Sequence, residues 1–365
     1  MKYKISDVFD LQMGKTPDRN KTEYWNDGTE PWISIADMSK ADIYIGCTKE
    51  CISDLAVEKS GIKIIPRNTV IMSFKLSIGK VAITERDMYS NEAIMAFIDK
   101  GVVRIIPEYL YYSLLSKDWN ERTNKAVMGK TLNKATLSQM KIVIHGFDEQ
   151  RMITDKLHRL GDVIAQRRKQ LELLDTLIKA RFVEMFGDVD ESVQMEDICK
   201  IITDGTHQPP KFVNEGIPFL FVSNIVTNEI TYDAEKFISE ETYESLIKRT
   251  PIEQGDVLLS TVGSYGHPAV VKTDKKFCFQ RHIAYLKPRS DIVNSIFLHG
   301  AILSDRVQRQ IEEKVKGIAQ KTLNLSEIRT IKVPLPDMAR QKDFAAFVSE
   351  VDKSKFYEEA RAALA

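Results

Sequence analysis

The chain repeats itself, and this constrains its fold more than any other feature. Residues 130–133 read Lys-Thr-Leu-Asn and recur at 321–324, a shift of 191 positions that continues without a gap to Gln150 and Gln341. Weaker matches elsewhere are shifted by 187 or 190 positions. Loops of different length on one shared set of elements produce such a pattern. The sequence therefore predicts two similar globular domains.

A long helix is predicted after each domain. Residues 149–186 contain no proline and a single glycine, Gly161, and their apolar side chains recur at alternating steps of four and three, which is the pattern of a coiled-coil seam. We expect the two helices to pair, because a lone helix cannot shield a seam of this length; a helix packed on its own domain is the alternative. The candidate pairing residues are Ile153, Leu157, Leu160, Ile164, Leu171, Leu174 and Ile178 in the first helix and Phe344, Val348 and Val351 in the shorter second helix.

Each domain mixes strands and helices. Apolar runs predict buried strands at 70–74, 94–98, 257–259 and 283–286, and buried helices at 109–115 and 296–303. The predicted fold class is a mixed α/β (α+β) architecture, in which the two helices form an antiparallel coiled coil and a pseudo-two-fold axis relates the halves. Its parts are domain 1–148, helix 149–187, domain 188–337 and helix 338–365.

Composition narrows the function classes. The 52 basic residues are balanced by 52 acidic residues, so a uniformly positive clamp for polyanions is excluded, whereas local basic patches stay open. Charges at Lys2, Lys4, Asp7 and Asp10 interrupt the apolar core that a signal peptide needs. No apolar run approaches the roughly 20 residues that span a bilayer. Four cysteines without a disulfide or zinc pattern favour the cytoplasm.

Familiar catalytic motifs are missing from the sequence. Gly-Lys-Thr occurs at 14–16 and 129–131, but Phe9 and Asn124 stand where a phosphate-binding loop needs another glycine. Serine-hydrolase, zinc-protease and dinucleotide-binding patterns are not found, and the six histidines are scattered. We therefore predict no catalytic residue, no metal site and no cofactor bound by this chain.

Basic residues concentrate around the repeated Lys-Thr-Leu-Asn segment. Residues 117–141 hold six cations against two anions, and the matching stretch 305–332 holds seven against four. A solvated helix face is the ordinary explanation of such a window, but its recurrence at equivalent positions favours phosphate contacts.

Polar loop residues also recur at matching positions in the two domains. Lysine, arginine, asparagine and glutamine pair with base edges in the major groove, and serine, threonine and lysine hold phosphates; ordinary turn chemistry is the alternative for any single residue. The candidate DNA-binding residues are Lys15, Thr16, Lys75, Ser77, Lys80, Asn91, Lys125, Lys130, Thr131 and Lys134 in the first domain and Thr206, His207, Ser264, Tyr265, His267, Gln280, Arg281, His282, Lys316, Lys321 and Thr322 in the second.

Together these features resemble the specificity subunits of type I restriction-modification systems. The resemblance covers nearly the whole chain and is carried by Asp-Gly-Thr-His-Gln-Pro-Pro at 204–210, the two Lys-Thr-Leu-Asn segments, Val-Pro-Leu-Pro at 333–336 before Gln341, and the heptad helix that opens with Glu149 and Gln150. It implies two target-recognition domains that each read one half of a bipartite, asymmetric site on double-stranded DNA. The helices would set the spacer between the half-sites.

The resemblance also implies partners. Two methyltransferase subunits would hold S-adenosylmethionine, and translocating restriction subunits would use ATP and Mg²⁺, while this chain contributes no catalysis. A scaffold that assembles proteins through its helix pair without reading DNA is the alternative from another class, and an enzyme with an unrecognised site is a third. The bases that are read do not follow from the sequence.

Overall fold

The structure is a computed structural model with two compact units. It describes residues 1–75, 77–119, 124–126, 129–317 and 321–363, without the side chains of 124–126, 129–131 and 356–363. The contacts divide the chain into Met1–Val163 and Ile164–Ala365, named unit 1 and unit 2 here. The boundary falls inside one continuous helix.

In the described part of the chain, unit 1 contains strands and five helices of its own. It shares a sixth helix with unit 2. The strands are β1 Lys2–Lys4, β2 Phe9–Met13, β3 Glu30–Ile33, β4 Tyr44–Ile45, β5 Glu50–Ile52, β6 Val70–Ser73, β7 Val81–Thr84, β8 Tyr89–Ser90, β9 Ile94–Asp99, β10 Asn124–Ala126, β11 Gly129–Thr131 and β12 Lys141–Val143. The helices are α1 Ile5–Val8, α2 Ile35–Met38, α3 Asp54–Ser60, α4 Pro107–Leu115, α5 Lys134–Gln139 and the shared α6 Phe147–Phe186, with a 3₁₀ turn at Thr22–Tyr24.

The main sheet of unit 1 has the order β2-β9-β6-β7-β4, and a smaller sheet has the order β5-β3-β8. The main-sheet strands are antiparallel except for β4 beside β7. Strand β6 reads Val-Ile-Met-Ser and is buried at every position, because both faces of this sheet are covered by apolar side chains. Such strands read as continuous apolar runs, which is why the sequence predicted them.

Unit 2 repeats this plan. Its strands are β13 Ser192–Gln194, β14 Cys199–Asp204, β15 Phe212–Val213, β16 Ile217–Leu220, β17 Phe237–Ile238, β18 Val257–Ser260, β19 Pro268–Val270, β20 Cys278–Phe279, β21 Ile283–Pro288 and β22 Lys332–Pro334. Its helices are α7 Met195–Ile198, α8 Glu240–Leu246, α9 Ser295–Leu303, α10 Asp305–Lys314, α11 Leu325–Arg329 and α12 Met338–Ala363, with a 3₁₀ turn at Val222–Asn224. The predicted mixed α/β fold is confirmed.

Corresponding sheets have corresponding strand orders. The main sheet of unit 2, β14-β21-β18-β19, matches β2-β9-β6-β7, and in each unit the first short strand pairs with the strand before the long helix. The N-terminal caps of helices α1 and α7 are also alike. Asp7 accepts a hydrogen bond from the backbone N–H of Lys4, and Asp197 from that of Gln194, both at 3.2 Å. Residues 5–8 and 195–198 match at a shift of 190 positions, and this match therefore reflects one shared turn.

A buried glutamine fixes the start of each long helix. In unit 1 the Gln150 side chain accepts from Ile106 N and donates to Arg104 O and His145 O, all at 3.0 Å. In unit 2 the Gln341 side chain accepts from Asn294 N at 2.8 Å and donates to Ile292 O at 3.2 Å and Pro336 O at 2.8 Å. Neither side chain reaches solvent, since the residues are 0% and 1% exposed. The same three-bond clamp thus joins helix to domain twice.

Within unit 2, α12 runs antiparallel to the last part of α6. Arg340 near the start of α12 donates to the carbonyl of Met185 near the end of α6, while Lys355 further along α12 lies 2.5 Å from Asp175, an earlier residue of α6. Phe344 packs between these contacts against Phe182, at a ring distance of 5.3 Å.

The predicted pairing residues lie in different surroundings. Phe344, Val348 and Val351 are buried, and Ile178 packs against the same core. Ile153, Leu157, Leu171 and Leu174 are half-buried. Leu160 and Ile164 are 37% and 38% exposed, so this middle part of the seam is open to solvent in the chain. The side chain of Arg181, which interrupts the seam, lies over the Phe347 ring at 5.7 Å.

Candidate nucleic-acid interface

In unit 1 three polar segments leave the main sheet at one edge. The pairs Met13 with Met95 and Ser73 with Ile94 place the end of β2, the end of β6 and the start of β9 side by side. Strand β7 begins at this edge too, because Met72 pairs with Val81. The described residues of the segments 14–16, 74–75 with 77–80, and 90–93 therefore emerge together. They include the predicted residues Lys15, Thr16, Lys75, Ser77, Lys80 and Asn91.

The equivalent edge of unit 2 gathers the equivalent segments. Asp204 pairs with Ala284, Ser260 with Ile283 and Leu259 with Pro268. The segments that emerge carry eight of the predicted residues, namely Thr206, His207, Ser264, Tyr265, His267, Gln280, Arg281 and His282. We call these two clusters the unit 1 edge and the unit 2 edge. The sequence alone did not show that their residues lie together.

The Lys-Thr-Leu-Asn segment joins each edge through its leucine. The N–H of Leu132 donates to Phe74 O at 3.0 Å, and that of Leu323 to Thr261 O at 2.8 Å. Both leucines are buried, at 3% and 1% exposure. The repeated segment is thus explained by packing, and its leucine brings the neighbouring cations to the edge.

The other predicted DNA-binding residues lie in or near the two Lys-Thr-Leu-Asn segments. Thr322 pairs with Lys316 and Val262 by β-bridges, Lys321 lies 6.0 Å from the Tyr265 ring, and Lys134 is exposed in the first turn of α5. The side chains of Lys125, Lys130 and Thr131 lie outside the described residues, although their backbone forms the β10-β11 hairpin.

At the unit 1 edge, several predicted side chains have partners within the chain. Lys15 donates to the carbonyl of Ser60, and Thr16 donates its hydroxyl hydrogen to the Glu92 carboxylate. That hydrogen bond is the main reason why the pKa of Glu92 is lowered. The edge therefore presents an ionised carboxylate among its cations, and it is not a plain basic patch.

The other four predicted residues of this edge also have contacts within the chain. Asn91 accepts from Ala93 N at 3.0 Å, which is the geometry of an Asx turn. Lys80 donates to the hydroxyl of Ser39, and the Ser77 carbonyl accepts from the Ser73 hydroxyl. Lys75 lies 5.2 Å from the Phe74 ring.

The unit 2 edge contains a mixed set of charges. Asp204 accepts from Arg249 at 2.6 Å, which balances its charge, and lies 2.9 Å from His207 Nε2. Lys316 is paired with Glu327 at 2.6 Å, which lowers the pKa of that carboxyl group. A paired lysine is a weaker candidate for a phosphate contact than a free one.

Burial keeps two histidines of this edge neutral. It lowers the pKa of His267, whose Nδ1 lies 3.1 Å from Asn228 Oδ1. Burial, aided by the Arg281 cation, also lowers the pKa of His282, whose ring accepts from Arg281 Nε at 3.3 Å. Neither ring offers a positive charge to phosphate at neutral pH.

Two depressions flank Arg281 and His282. One, of about 410 Å³, is polar and includes Thr261, Thr322 and Asn324 in its lining. The other, of about 390 Å³, adds rings to the polar rim, namely Phe212, Phe219 and Phe221. Arg281 thus stands between a polar and an aromatic surface.

The sequence-based prediction missed three contributors to the unit 1 edge, namely Arg19, Trp32 and Glu92. Arg19 stacks over Trp25 at 3.7 Å and pairs with Glu50 at 2.6 Å, while Trp32 Nε1 donates to Lys15 O at 3.1 Å and so holds the edge from the small sheet. Glu92 was missed because only cations and amides were considered as base readers.

Glycine is required where each edge begins. A Cβ atom at Gly14 would lie 2.2 Å from Asn91 O, and one at Gly205 would lie 2.2 Å from Phe279 O. Both obstacles are backbone carbonyls, which cannot move without disturbing the sheet. Both positions therefore need glycine for the close approach of two backbone segments.

We expect Gly205→Ala to lower the free energy of unfolding by about 1–3 kcal/mol through overpacking. Gly161→Ala is the matched control, because Gly161 is exposed in α6 with no heavy atom within 4 Å of a new Cβ, and alanine should stabilise a helix there by about 0.5–1 kcal/mol. Urea unfolding of both variants measures the difference. Equal effects would contradict the crowding argument.

No helix in the described part of the chain is both long and apolar enough to span a membrane. Within the same residues, no group of three or more histidine, cysteine, aspartate or glutamate side chains is arranged to hold a metal ion.

The family description "Type I restriction modification DNA specificity domain" matches the chain twice, at residues 1–173 and 190–363. The chain belongs to this family. The two matches agree with the two sets of edge loops, and the predicted relationship is confirmed.

Individual relatives are distant but extensive. The MjaIX specificity subunit of Methanocaldococcus jannaschii is 25% identical over 94% of this chain and 85% of its own length. The EcoBI specificity subunit of Escherichia coli is 23% identical over 62% of this chain, and the match covers 54% of that protein.

Solved structures show the same fold. The S subunit from M. genitalium has a TM-score of 0.50 at 14% identity and is matched over 100% of this chain and 92% of that one. A chain from a type I R-M system, solved to explain complex assembly and conformational transition, has a TM-score of 0.58 at 16% identity, over 100% of this chain and 93% of that one.

Proposed function

We propose that this chain is the sequence-specific DNA-binding subunit of a type I restriction-modification complex. Each unit reads one half of a bipartite, asymmetric target through its edge loops. The observation that carries the proposal is the duplicated edge, where polar side chains of three segments and the Lys-Thr-Leu-Asn segment meet on one sheet in both units. Loops held on a rigid sheet are a common platform for recognition.

Divergence between the edges supports an asymmetric target. Asn91, Glu92 and Ala93 of unit 1 stand where unit 2 has Gln280, Arg281 and His282. Because base edges are distinguished by donor and acceptor patterns, loops of different chemistry on one frame would select different half-sites.

The proposal assigns the chemistry to partners. Two methyltransferase subunits dock on the helices and hold S-adenosylmethionine, and restriction subunits supply ATP- and Mg²⁺-dependent translocation and cleavage in the cytoplasm. The chain itself contributes recognition and no catalytic group. The open apolar residues Leu160 and Ile164 on α6 are compatible with such docking, because exposed apolar side chains on a long helix favour a protein partner.

Binding to random duplexes separates this proposal from a scaffold that does not read DNA. The chain with its methyltransferase subunit should retain a small set of sequences in the presence of competitor DNA. Retention with steep salt dependence and no selected sequence would show phosphate contacts alone and would reject the proposal. Replacing residues 1–148 with another such domain should change one half-site only.

Lengthening α6 tests the assignment of the spacer. The helix has 40 residues and spans about 60 Å. Inserting one heptad within 161–168, before the part of α6 that packs on α12, adds about 10.5 Å, which corresponds to about three base pairs. We expect a spacer longer by about that amount and two unchanged half-sites, as read from the methylated positions in treated DNA. An unchanged spacer would refute this role. Gly161→Ala is the control, because it alters α6 without lengthening it.

A further inference from the structure

One position differs in charge between otherwise equivalent loops. Backbone hydrogen bonds establish the equivalence, because Asn91 N donates to Ile33 O and Gln280 N to Leu220 O, both at 3.1 Å. The loops then close alike, with Ile94 N bonded to Asn91 O at 3.2 Å and Ile283 N to Gln280 O at 3.1 Å. The next residue in each loop is therefore structurally equivalent, and it is Glu92 in unit 1 and Arg281 in unit 2.

The Arg281 guanidinium is exposed and its terminal nitrogens are available. Its Nε bonds to His282, which fixes the base of the fork. Among the described residues, no carboxylate lies within ion-pair distance of Arg281, and the nearby Asp204 is already shared by His207 and Arg249. An arginine held in this way presents two parallel donors, which match the O6 and N7 acceptors of guanine.

The Glu92 carboxylate is exposed and acts as an acceptor. The Thr16 hydroxyl bonds to Oε2 and orients the group. The carboxylate also accepts from the backbone N–H of Glu92 itself, which leaves lone pairs for a further donor. No cation of the described chain lies within ion-pair distance of it. A glutamate in the major groove accepts a hydrogen bond from the N4 amino group of cytosine.

We propose that the position shared by Glu92 and Arg281 determines specificity, with Arg281 reading a guanine in one half-site and Glu92 reading a cytosine in the other. This inference rests on the proposed function and deepens it. Thr16 is then a positioning residue for Glu92, and His282 is one for Arg281. Charge of opposite sign at one structural position makes the two half-sites chemically unlike.

The test uses the chain assembled with its methyltransferase subunit and a pool of duplexes randomised at the target. For Arg281→Gln we expect the preference for guanine at one position to fall roughly 5- to 150-fold, with the other half-site unchanged. Arg281→Lys keeps the charge but loses the planar fork, so it should keep only part of the preference for guanine. For Glu92→Gln we expect the other half-site to shift from cytosine toward adenine, which glutamine pairs.

Arg289→Gln is the matched control, because Arg289 is exposed just beyond the opposite end of β21; it should change neither half-site. If Arg281→Gln selects the original guanine as strongly as the wild type, or loses affinity equally for all sequences with a smaller salt slope, Arg281 is a phosphate ligand and the inference is overturned. An unshifted Glu92→Gln motif overturns its other half. A wild-type complex without any selected motif would instead reject the proposed function.

Discussion

Replacing Phe344 with alanine is expected to lower the free energy of unfolding of unit 2 by about 3–5 kcal/mol. Phe344 has no exposed surface and its ring packs edge-on against Phe182 and Phe186, at 5.3 Å and 5.7 Å. Gly300 on α9 gives the ring its room, since a Cβ there would lie 2.8 Å from it. Alanine would leave a cavity where α6, α9 and α12 meet.

The measurement is urea unfolding combined with hydrogen exchange of the α12 amides, which should accelerate when the anchor is lost. Phe347→Ala is the matched control three residues further along the same helix. Phe347 is half-buried beneath Arg181, so its loss should cost about 1–2 kcal/mol from partial burial and the cation–π contact. Similar losses for both variants would show that Phe344 does not anchor α12.

The sequence predicted which helical residues could form a seam, but not which of them the chain itself buries. Heptad spacing identifies apolar side chains that share a face, and on that basis Leu160 and Ile178 look alike. In the structure Ile178 packs on the core of unit 2, whereas Leu160 is 37% exposed. The difference depends on which part of α6 packs against α12. This is a tertiary contact, and no local sequence pattern indicates it.

The unit 1 edge and the unit 2 edge show the same limit of prediction from sequence. The shift of 187 positions pairs Ser73 with Ser260. In the structure both hydroxyl groups accept the same kind of bond, from Lys80 N at 3.0 Å and from His267 N at 2.9 Å. Which segments share an edge depends on strand register, such as Met13 opposite Met95. Register follows from long-range pairing, so the list of candidate residues could be predicted while their clustering could not.

The buried glutamines lead to the second large effect. Gln341→Leu preserves side-chain bulk but leaves Asn294 N–H and the carbonyls of Ile292 and Pro336 without their partner. Each buried unpaired group costs about 1–3 kcal/mol, so we expect a loss of about 3–5 kcal/mol in the stability of unit 2. Gln150→Leu should produce a comparable loss in unit 1, because the same three kinds of bond are removed.

Gln310→Leu provides the control for solvent access. Gln310 also accepts from one backbone N–H, that of Lys332 at 2.9 Å, and donates to two carbonyls, those of Lys332 at 2.8 Å and Arg306 at 3.2 Å. These bonds are exposed, so water can replace them and the expected loss is below about 1 kcal/mol. Urea unfolding of the three variants compares the loss of three buried hydrogen bonds with the loss of three exposed ones. If Gln341→Leu costs no more than Gln310→Leu, the clamp contributes little, and the joint between helix and domain must depend on apolar packing around Phe344.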